Sequence, residues 1–232
     1  MTWAQLRGRS GDLLPELAQQ LADGTWCPGD LRQIAIPTYT GKTMLTSVPP
    51  VLDRLVHRAI RNAVEPVLEA RAFYNWVSGF RPRRNRLTSL RQAAAFRDAG
   101  YSWVADIDVK EVSDRAHVDE AVDWFAKHIH DGTMLARIRT CLNGMPGPIA
   151  PGSGLAPLLI NLRLSQVDIK VNHMRIVRFA DNYCAFARTK FDAEEAFYAL
   201  SDALGALRLC PNEEKSRIRS EVNIEDLFLI GG

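Results

Sequence analysis

Cysteine is scarce in this chain of 232 residues, with four, at positions 27, 141, 184 and 210, and no two form a Cys-x-x-Cys pair. That spacing excludes a standard zinc site and a disulfide framework, and it fits a reducing compartment. Histidine is equally sparse; His128 and His130 stand one residue apart without a second clustered pair, as surface residues do. Net charge is only +2, so there is no global basic field, and any nucleic-acid surface has to be local. No apolar run approaches the roughly 18–20 residues that span a bilayer, and the N-terminus carries no signal-peptide core. The expectation is therefore a cytoplasmic protein with no membrane partner. Repeats and low-complexity linkers are absent too. What is present is an ordinary globular composition, 47% apolar and 24% charged, long enough for one large domain or two small lobes.

Periodicity supplies the elements. Leu13 to Gly24 has apolar residues at helical spacing and ends on glycine. "LRQIAIPTYTGKTMLTSVP" alternates around a Tyr-Thr-Gly-Lys turn and predicts a hairpin with Gly41 near its tip. From Val51 to about Arg71 the pattern predicts a helix with Leu52, Leu55, Val56, Ala59, Ile60 and Ala63 on its apolar side, ended or kinked at Pro66. "YSWVADIDV" alternates strictly, which sets Trp103, Ala105, Ile107 and Val109 on one face of a strand. Asp106 and Asp108 then share the other face, about 7 Å apart. Further helices are predicted near Val118–His130, after the Gly/Pro-rich stretch 143–155, and over "DAEEAFYALSDALGALRL". A hairpin turns at Asp181-Asn182, and "FLIGG" reads as a short closing strand. Helices and hairpins mix without βαβ regularity, so the fold class is α+β with an antiparallel sheet.

Two features carry chemistry. A mid-strand aspartate facing an aspartate at a hairpin tip, Asp108 and Asp181, can bring two carboxylates to one metal ion, the arrangement two-metal phosphoryl chemistry needs. Asp-Asn is also simply a favoured turn dipeptide. The run "RPRRNR" gathers Arg81, Arg83, Arg84 and Arg86 within six positions; it is a phosphate surface, a solvated face or a helix start.

The order of the segments narrows the choice. "GTWCP" (24–28), "IPTYTGKTMLTSVP" (36–49), "DR" (53–54), "GFRPRRN" (79–85) and "DVKEVSD" (108–114) are followed by "APGSGLAPLLINLRLSQVD" (150–168), "RFADN" (178–182), "NEEKSRI" (212–218) and "FLIG" (228–231). In this order and spacing they resemble the reverse transcriptases of bacterial group II introns and their relatives. The resemblance implies a fingers region over 1–100, a palm region over 101–232 with an antiparallel sheet backed by helices, and Mg²⁺ (or Mn²⁺) as cofactor. It makes Asp108 and Asp181 the catalytic metal carboxylates, with Asn182 beside them. Lys215 becomes the lysine that assists pyrophosphate departure. Lys42, Arg81, Ser113 and Gly152 become nucleotide-binding positions, and Arg81, Arg83, Arg84 and Arg86 a surface for RNA or DNA.

Departures from the family pattern cluster on the nucleotide. Asn182 replaces a second aspartate, keeping its shape and losing its charge. Ser113 stands where a bulky aromatic excludes the ribose 2′-hydroxyl. Thr38, Met44 and Pro151 replace a lysine, an arginine and a glutamine. Asp106 could offset the lost carboxylate, although a solvated strand-edge position is the plainer expectation. The family's helical thumb does not follow "FLIG", which implies a companion subunit supplying thumb or activity. Two readings result. One is a nucleotidyltransferase of relaxed sugar selectivity, working in antiphage defence or a retroelement. The other is an inactive reverse-transcriptase-like subunit that binds RNA or partners an active polymerase.

Overall fold

The computed structural model describes residues 2–37, 41 and 43–228. In chain order the elements begin with α1 (Trp3–Gly8), α2 (Ser10–Asp23), the strands β1 (Arg32–Pro37) and β2 (Thr43–Val48), and α3 (Val51–Arg71). Next come α4 (Arg86–Asp98), β3 (Trp103–Asp108), α5 (Val118–Ala126), α6 (Gly132–Asn143) and α7 (Ala156–Val171). The chain continues with β4 (Ile176–Phe179), β5 (Asn182–Ala187), α8 (Lys190–Gly205), β6 (Arg217–Ser220) and a 3-10 turn at Ile224–Asp226. None of the described helices is long and apolar enough to cross a membrane.

Two compact units form, each from two segments: Met1–Arg71 with Ala116–Leu159, and Ala72–Arg115 with Ile160–Gly232. These units do not follow the boundary near residue 100, because the excursion from 116 to 159 clusters with the N-terminal segment.

The first unit holds the β1–β2 hairpin, antiparallel from Arg32↔Val48 to Pro37↔Thr43. Lys42 and Thr38, both singled out from the sequence, lie outside the described residues. Helix α3 buries Val51, Asp53, Val56, His57, Ile60, Val64 and Leu68, while Ala59 and Ala63 are exposed. The buried stripe is therefore rotated from the expected one. Two polar side chains sit inside it because each satisfies a loop backbone: Asp53 Oδ2 accepts from Gly29 N–H at 2.8 Å, and His57 Nδ1 accepts from Gly154 N–H at 3.3 Å. Apolar counting misses such positions. Pro66 does not end the helix, which runs on to Arg71. The carbonyl that loses its partner belongs to Asn62, on the exposed side, where water can replace the missing bond.

The second unit is built on a four-stranded sheet in the order β4-β5-β3-β6, antiparallel throughout, as the fold class requires. On one face, Ala105, Ile107, Tyr183 and Ala185 pack with Leu164 and Val167 of α7 and Leu200 and Leu204 of α8. On the other, Val104, Cys184 and Phe186 meet Ala93 of α4 and the segment Ile224–Phe228. Phe228, the first residue of the expected closing strand, lies in a turn with Leu227, and the rest of that segment, 229–232, lies outside the described residues. Strand β6 was not legible in "SRIRS". It pairs with β3 and makes β3 an interior strand.

Candidate active site

Register brings the two aspartates together. Asp108, the last residue of β3, pairs with Asn182, the first of β5, and Val109 N–H donates to the Asp181 carbonyl at 3.1 Å. Asp108, at the end of β3, and Asp181, in the turn that leads into β5, thus end up side by side although 72 residues of sequence lie between them.

The segment before β6 closes over the end of β3. Asn212 N–H donates to the Asp108 carbonyl at 2.8 Å, and Asp108 N–H donates to Ser216 Oγ at 3.2 Å. This docking sets Lys215 Nζ 3.9 Å from Asp108 Oδ2, while Asn212 Nδ2 donates to Asp108 Oδ1 at 3.4 Å. Neither Asn212 nor Ser216 was singled out from sequence, although both flank Lys215 in "NEEKS". A cleft of about 190 Å³ opens here, lined by Asp108, Asn182, Glu214, Lys215 and Arg217 among others.

Burial pushes the Asp108 carboxyl up from its usual pKa, and Asp106 adds to this; Lys215 and the Asn212 hydrogen bond pull the other way without cancelling it. Burial likewise raises Asp181. Its own backbone N–H, Lys215 and Arg178 oppose the shift, while the neighbouring charge of Asp108 reinforces it. Both carboxylates are therefore held at a cost when ionised, which a cation would offset. Asn182 Nδ2 donates to Asp181 Oδ1 at 3.4 Å. Every donor at this point is a hard oxygen, the set that suits Mg²⁺ or Mn²⁺. Among the described residues no group of three or more His, Cys, Asp or Glu converges to hold a metal, so such an ion would draw its remaining ligands from water and substrate.

Asp106 corrects the expectation of a solvated edge residue. Because β6 covers β3, the Asp106 carboxylate meets Arg219 Nη2 and accepts from Cys184 Sγ at 3.6 Å. Its charge is matched by that arginine, whereas Asp108 meets only the more distant Lys215, at 3.9 Å.

A buried network holds the turn that carries Asp181. Arg178 Nε and Nη2 donate to the two oxygens of Asp168 at 3.1 and 2.6 Å, and both side chains are 0% exposed. Tyr183 donates its hydroxyl to the same carboxylate at 2.8 Å. Arg178 Nη1 then reaches Asn161 Oδ1 at 2.8 Å and the Ala180 carbonyl at 2.7 Å. Burial opposes the Arg178 charge, but Asp168, Tyr183 and Asp181 outweigh it and hold the guanidinium protonated. Ala180 has φ +55, a conformation that costs a non-glycine residue, and the Arg178 bond to its carbonyl pins it there. Gly79 packs against the same turn: a Cβ at Gly79 would lie 2.0 Å from the Ala180 nitrogen, and Asn161 Nδ2 donates to the Gly79 carbonyl at 2.8 Å. The quoted segments "GFRP", "APLLINLRLSQVD" and "RFADN" thus meet in one framework.

The arginine run is largely engaged within the fold. Arg81 is buried, donates from Nη1 to the Tyr74 and Val77 carbonyls at 2.5 and 2.8 Å, and lies over the Phe73 ring. Arg84 donates to the Asn75 carbonyl at 2.6 Å and to its side chain at 3.0 Å. Arg86 caps the carbonyls of Glu225, Leu227 and Phe228. These guanidinium groups donate mainly to backbone oxygens that loops leave unpaired, and so hold loops in place. Arg83 alone of the four is exposed with no hydrogen bond or ion pair among the described residues. Asn85 caps α4, so the helix-start alternative describes the end of the run.

Ser113 is exposed on a turn whose flanking carbonyls, Val112 and Asp114, both accept from Arg163 Nη1 at 2.7 Å. Gly152 belongs to the first unit. Its φ is +101, and a Cβ there would lie 2.0 Å from the Ser47 carbonyl oxygen, so only glycine lets this loop lie against β2.

A family model described as reverse transcriptase (RNA-dependent DNA polymerase) matches residues 32–225. The chain is 26% identical over 181 residues to Protein YkfC of Escherichia coli strain K12, covering 70% of this chain and 46% of that protein. It is 27% identical over 176 residues to the group II intron-encoded protein LtrA of Lactococcus lactis subsp. cremoris, covering 69% and 28%. Its fold is similar to that in a solved structure of telomerase from Candida albicans in complex with a TWJ fragment of telomeric RNA, with TM-score 0.61 and 11% identity over 84% of this chain and 43% of the other. The chain spans less than half the length of each of these relatives.

Proposed function

Because the chain belongs to the reverse transcriptase family and its relatives include group II intron proteins, we propose that it is a template-directed nucleotidyltransferase whose metal carboxylates are Asp108 and Asp181. The observation that carries this reading is the pair itself: two half-buried carboxylates, one at the end of β3 and one in the adjoining β4–β5 turn, each raised in pKa, with Asp106 separately neutralised. In this proposal the fingers region is 1–100 and the palm 101–232.

The reaction joins a primer 3′-hydroxyl to the α-phosphate of a nucleoside triphosphate, with the bond to the β-phosphate breaking and pyrophosphate leaving. Asp108 and Asp181 would hold Mg²⁺ or Mn²⁺, which when bound polarises the attacking hydroxyl and the phosphoryl oxygens. Asn182 steadies one oxygen of Asp181 through its amide. Lys215 is near enough to Asp108 to meet charge developing on the departing pyrophosphate. The framework of Arg178, Asp168 and Asn161 fixes the Asp181 turn before any substrate arrives, so little reorganisation is needed on reaction.

Ser113 bears on sugar choice. An exposed serine leaves room for a 2′-hydroxyl, so ribo- and deoxyribonucleotides should be incorporated at rates within a few-fold of each other. Ser113→Tyr should restore selectivity for deoxynucleotides. The test is extension of a labelled primer on RNA and DNA templates with each nucleotide set, in Mg²⁺ and in Mn²⁺. Failure to incorporate either set would overturn the nucleotidyltransferase reading and favour the RNA-binding or partner subunit. Work in antiphage defence or a retroelement, and a companion subunit acting as thumb, belong to the same proposal.

A further inference from the structure

Two exposed arginines of the second unit, Arg175 and Arg188, sit at the strand ends opposite to Asp108. Arg175 precedes β4, Arg188 follows β5, and Tyr101 lies just before β3, so three strand ends meet at one edge of the sheet. The Arg175 guanidinium carbon is 4.6 Å from the Tyr101 ring centroid and that of Arg188 is 4.7 Å from the same centroid. Phe186 N–H donates to the Arg175 carbonyl at 2.7 Å, which fixes the register that brings these residues together. Beside them opens a cavity of about 420 Å³, lined by Tyr101, Val104, Phe186 and Ile224 together with Arg97 and Glu221.

We infer that this edge binds single-stranded nucleic acid, with phosphates on Arg175 and Arg188 and a base in the apolar cavity beside Tyr101. Among the described residues neither arginine pairs with a carboxylate; Arg188 donates only to the Ala99 carbonyl, at 3.3 Å. Two guanidinium groups on one ring repel each other, and a polyanion removes that repulsion while leaving both stacked. Arg97, which meets only the exposed Asp98 at 3.2 Å, adds a third cation at the cavity. The cavity supplies what phosphate contact alone does not: apolar walls and aromatic rings on which a base stacks regardless of its identity. From Trp103 to Asp108 the strand covers about 17 Å, so this surface is separate from the metal carboxylates. It also differs from the arginine run at 81–86, whose guanidinium groups largely serve the fold.

The inference concerns binding and stands apart from the nucleotidyl-transfer reading, so its test does not use activity. Fluorescence anisotropy of the full chain with a labelled 12-nucleotide oligouridylate, and with the matching oligothymidylate, is measured between 50 and 200 mM salt. Arg175→Gln/Arg188→Gln should weaken binding about tenfold and lower the slope of log affinity against log salt by about 1.4, the share of two phosphate contacts on a single strand. Tyr101→Ala should weaken binding about as much and leave the slope unchanged. Equal effects with both oligonucleotides indicate recognition of phosphate and base; an effect confined to the uridylate assigns the site to RNA. Thermal melting checks that the variants fold. If they do not, photo-crosslinking of 4-thiouridine RNA to the unmodified chain should label the peptide containing Tyr101 or Phe186. Affinity and slope within twofold of the parent in folded variants, or crosslinks confined to other peptides, would overturn the inference.

Discussion

Asp108→Asn and Asp181→Asn should each lower divalent-ion-dependent nucleotide incorporation by about 10³-fold or more, the equivalent of roughly 4 kcal/mol of transition-state stabilisation. Asparagine keeps the shape and one acceptor oxygen, so the loss isolates the charge. Stability should move the other way. Both carboxyls have pKa values raised above the usual range, by burial first. Between the ordinary and the raised value the folded chain binds more protons than the unfolded one. Stability contributed by these groups is therefore greatest below that window and falls as pH rises through it. Without added ion at neutral pH, the asparagine variants should melt no lower than the parent, and their stability should depend less on pH from acid to neutral. Thermal melting across pH, alongside primer extension, checks both halves. Variants that lose activity and also lose stability would point to structural aspartates instead.

Arg178→Met should cost about 3–5 kcal/mol of stability, because it leaves the Asp168 carboxylate fully buried with the Tyr183 hydroxyl bond and the nearby Arg81 charge but without its ion-pair partner. For a chain of this size that is a fall in Tm of roughly 6–20 °C. Arg178→Met/Asp168→Leu removes both charges and should regain much of the loss, since a buried ion pair is often replaceable by apolar residues. Incorporation should not recover with it. The double variant still lacks the donor that holds the Ala180 carbonyl and orients Asn161, so the turn bearing Asp181 loses its pin. Melting temperature and incorporation rate of the two variants, compared as a cycle, separate positioning from stability. Recovery of both together would assign the network to stability alone.

Much of this was legible in the sequence for physical reasons. Strict alternation around Asp108 and the turn at Asp181 set the two strands, and antiparallel pairing did the rest. Periodicity located α2, α3, α7 and α8 because each has a sustained apolar face. It missed β6, four residues in which only Ile218 is apolar, and α4, whose residues are mostly polar. The rotated face of α3 could not be read either, because Asp53 and His57 are buried through bonds to backbone atoms distant in sequence. The arginine run was not legible for a related reason: charge density along a sequence does not reveal which guanidinium groups will meet loop carbonyls. Asn161, Arg163 and Arg178 were visible only as letters inside motifs, since their partners lie between 2 and 82 residues away.

Whether Asp108 and Asp181 share one divalent ion is decided by Mn²⁺ titration of the full chain, followed by electron paramagnetic resonance of the unbound ion. The unmodified chain should take up Mn²⁺, Mg²⁺ should compete for the same site, and Asp108→Asn and Asp181→Asn should each abolish uptake at that site. Equal Mn²⁺ binding by the Asp108→Asn/Asp181→Asn double variant would contradict the shared site and the polymerase chemistry built on it.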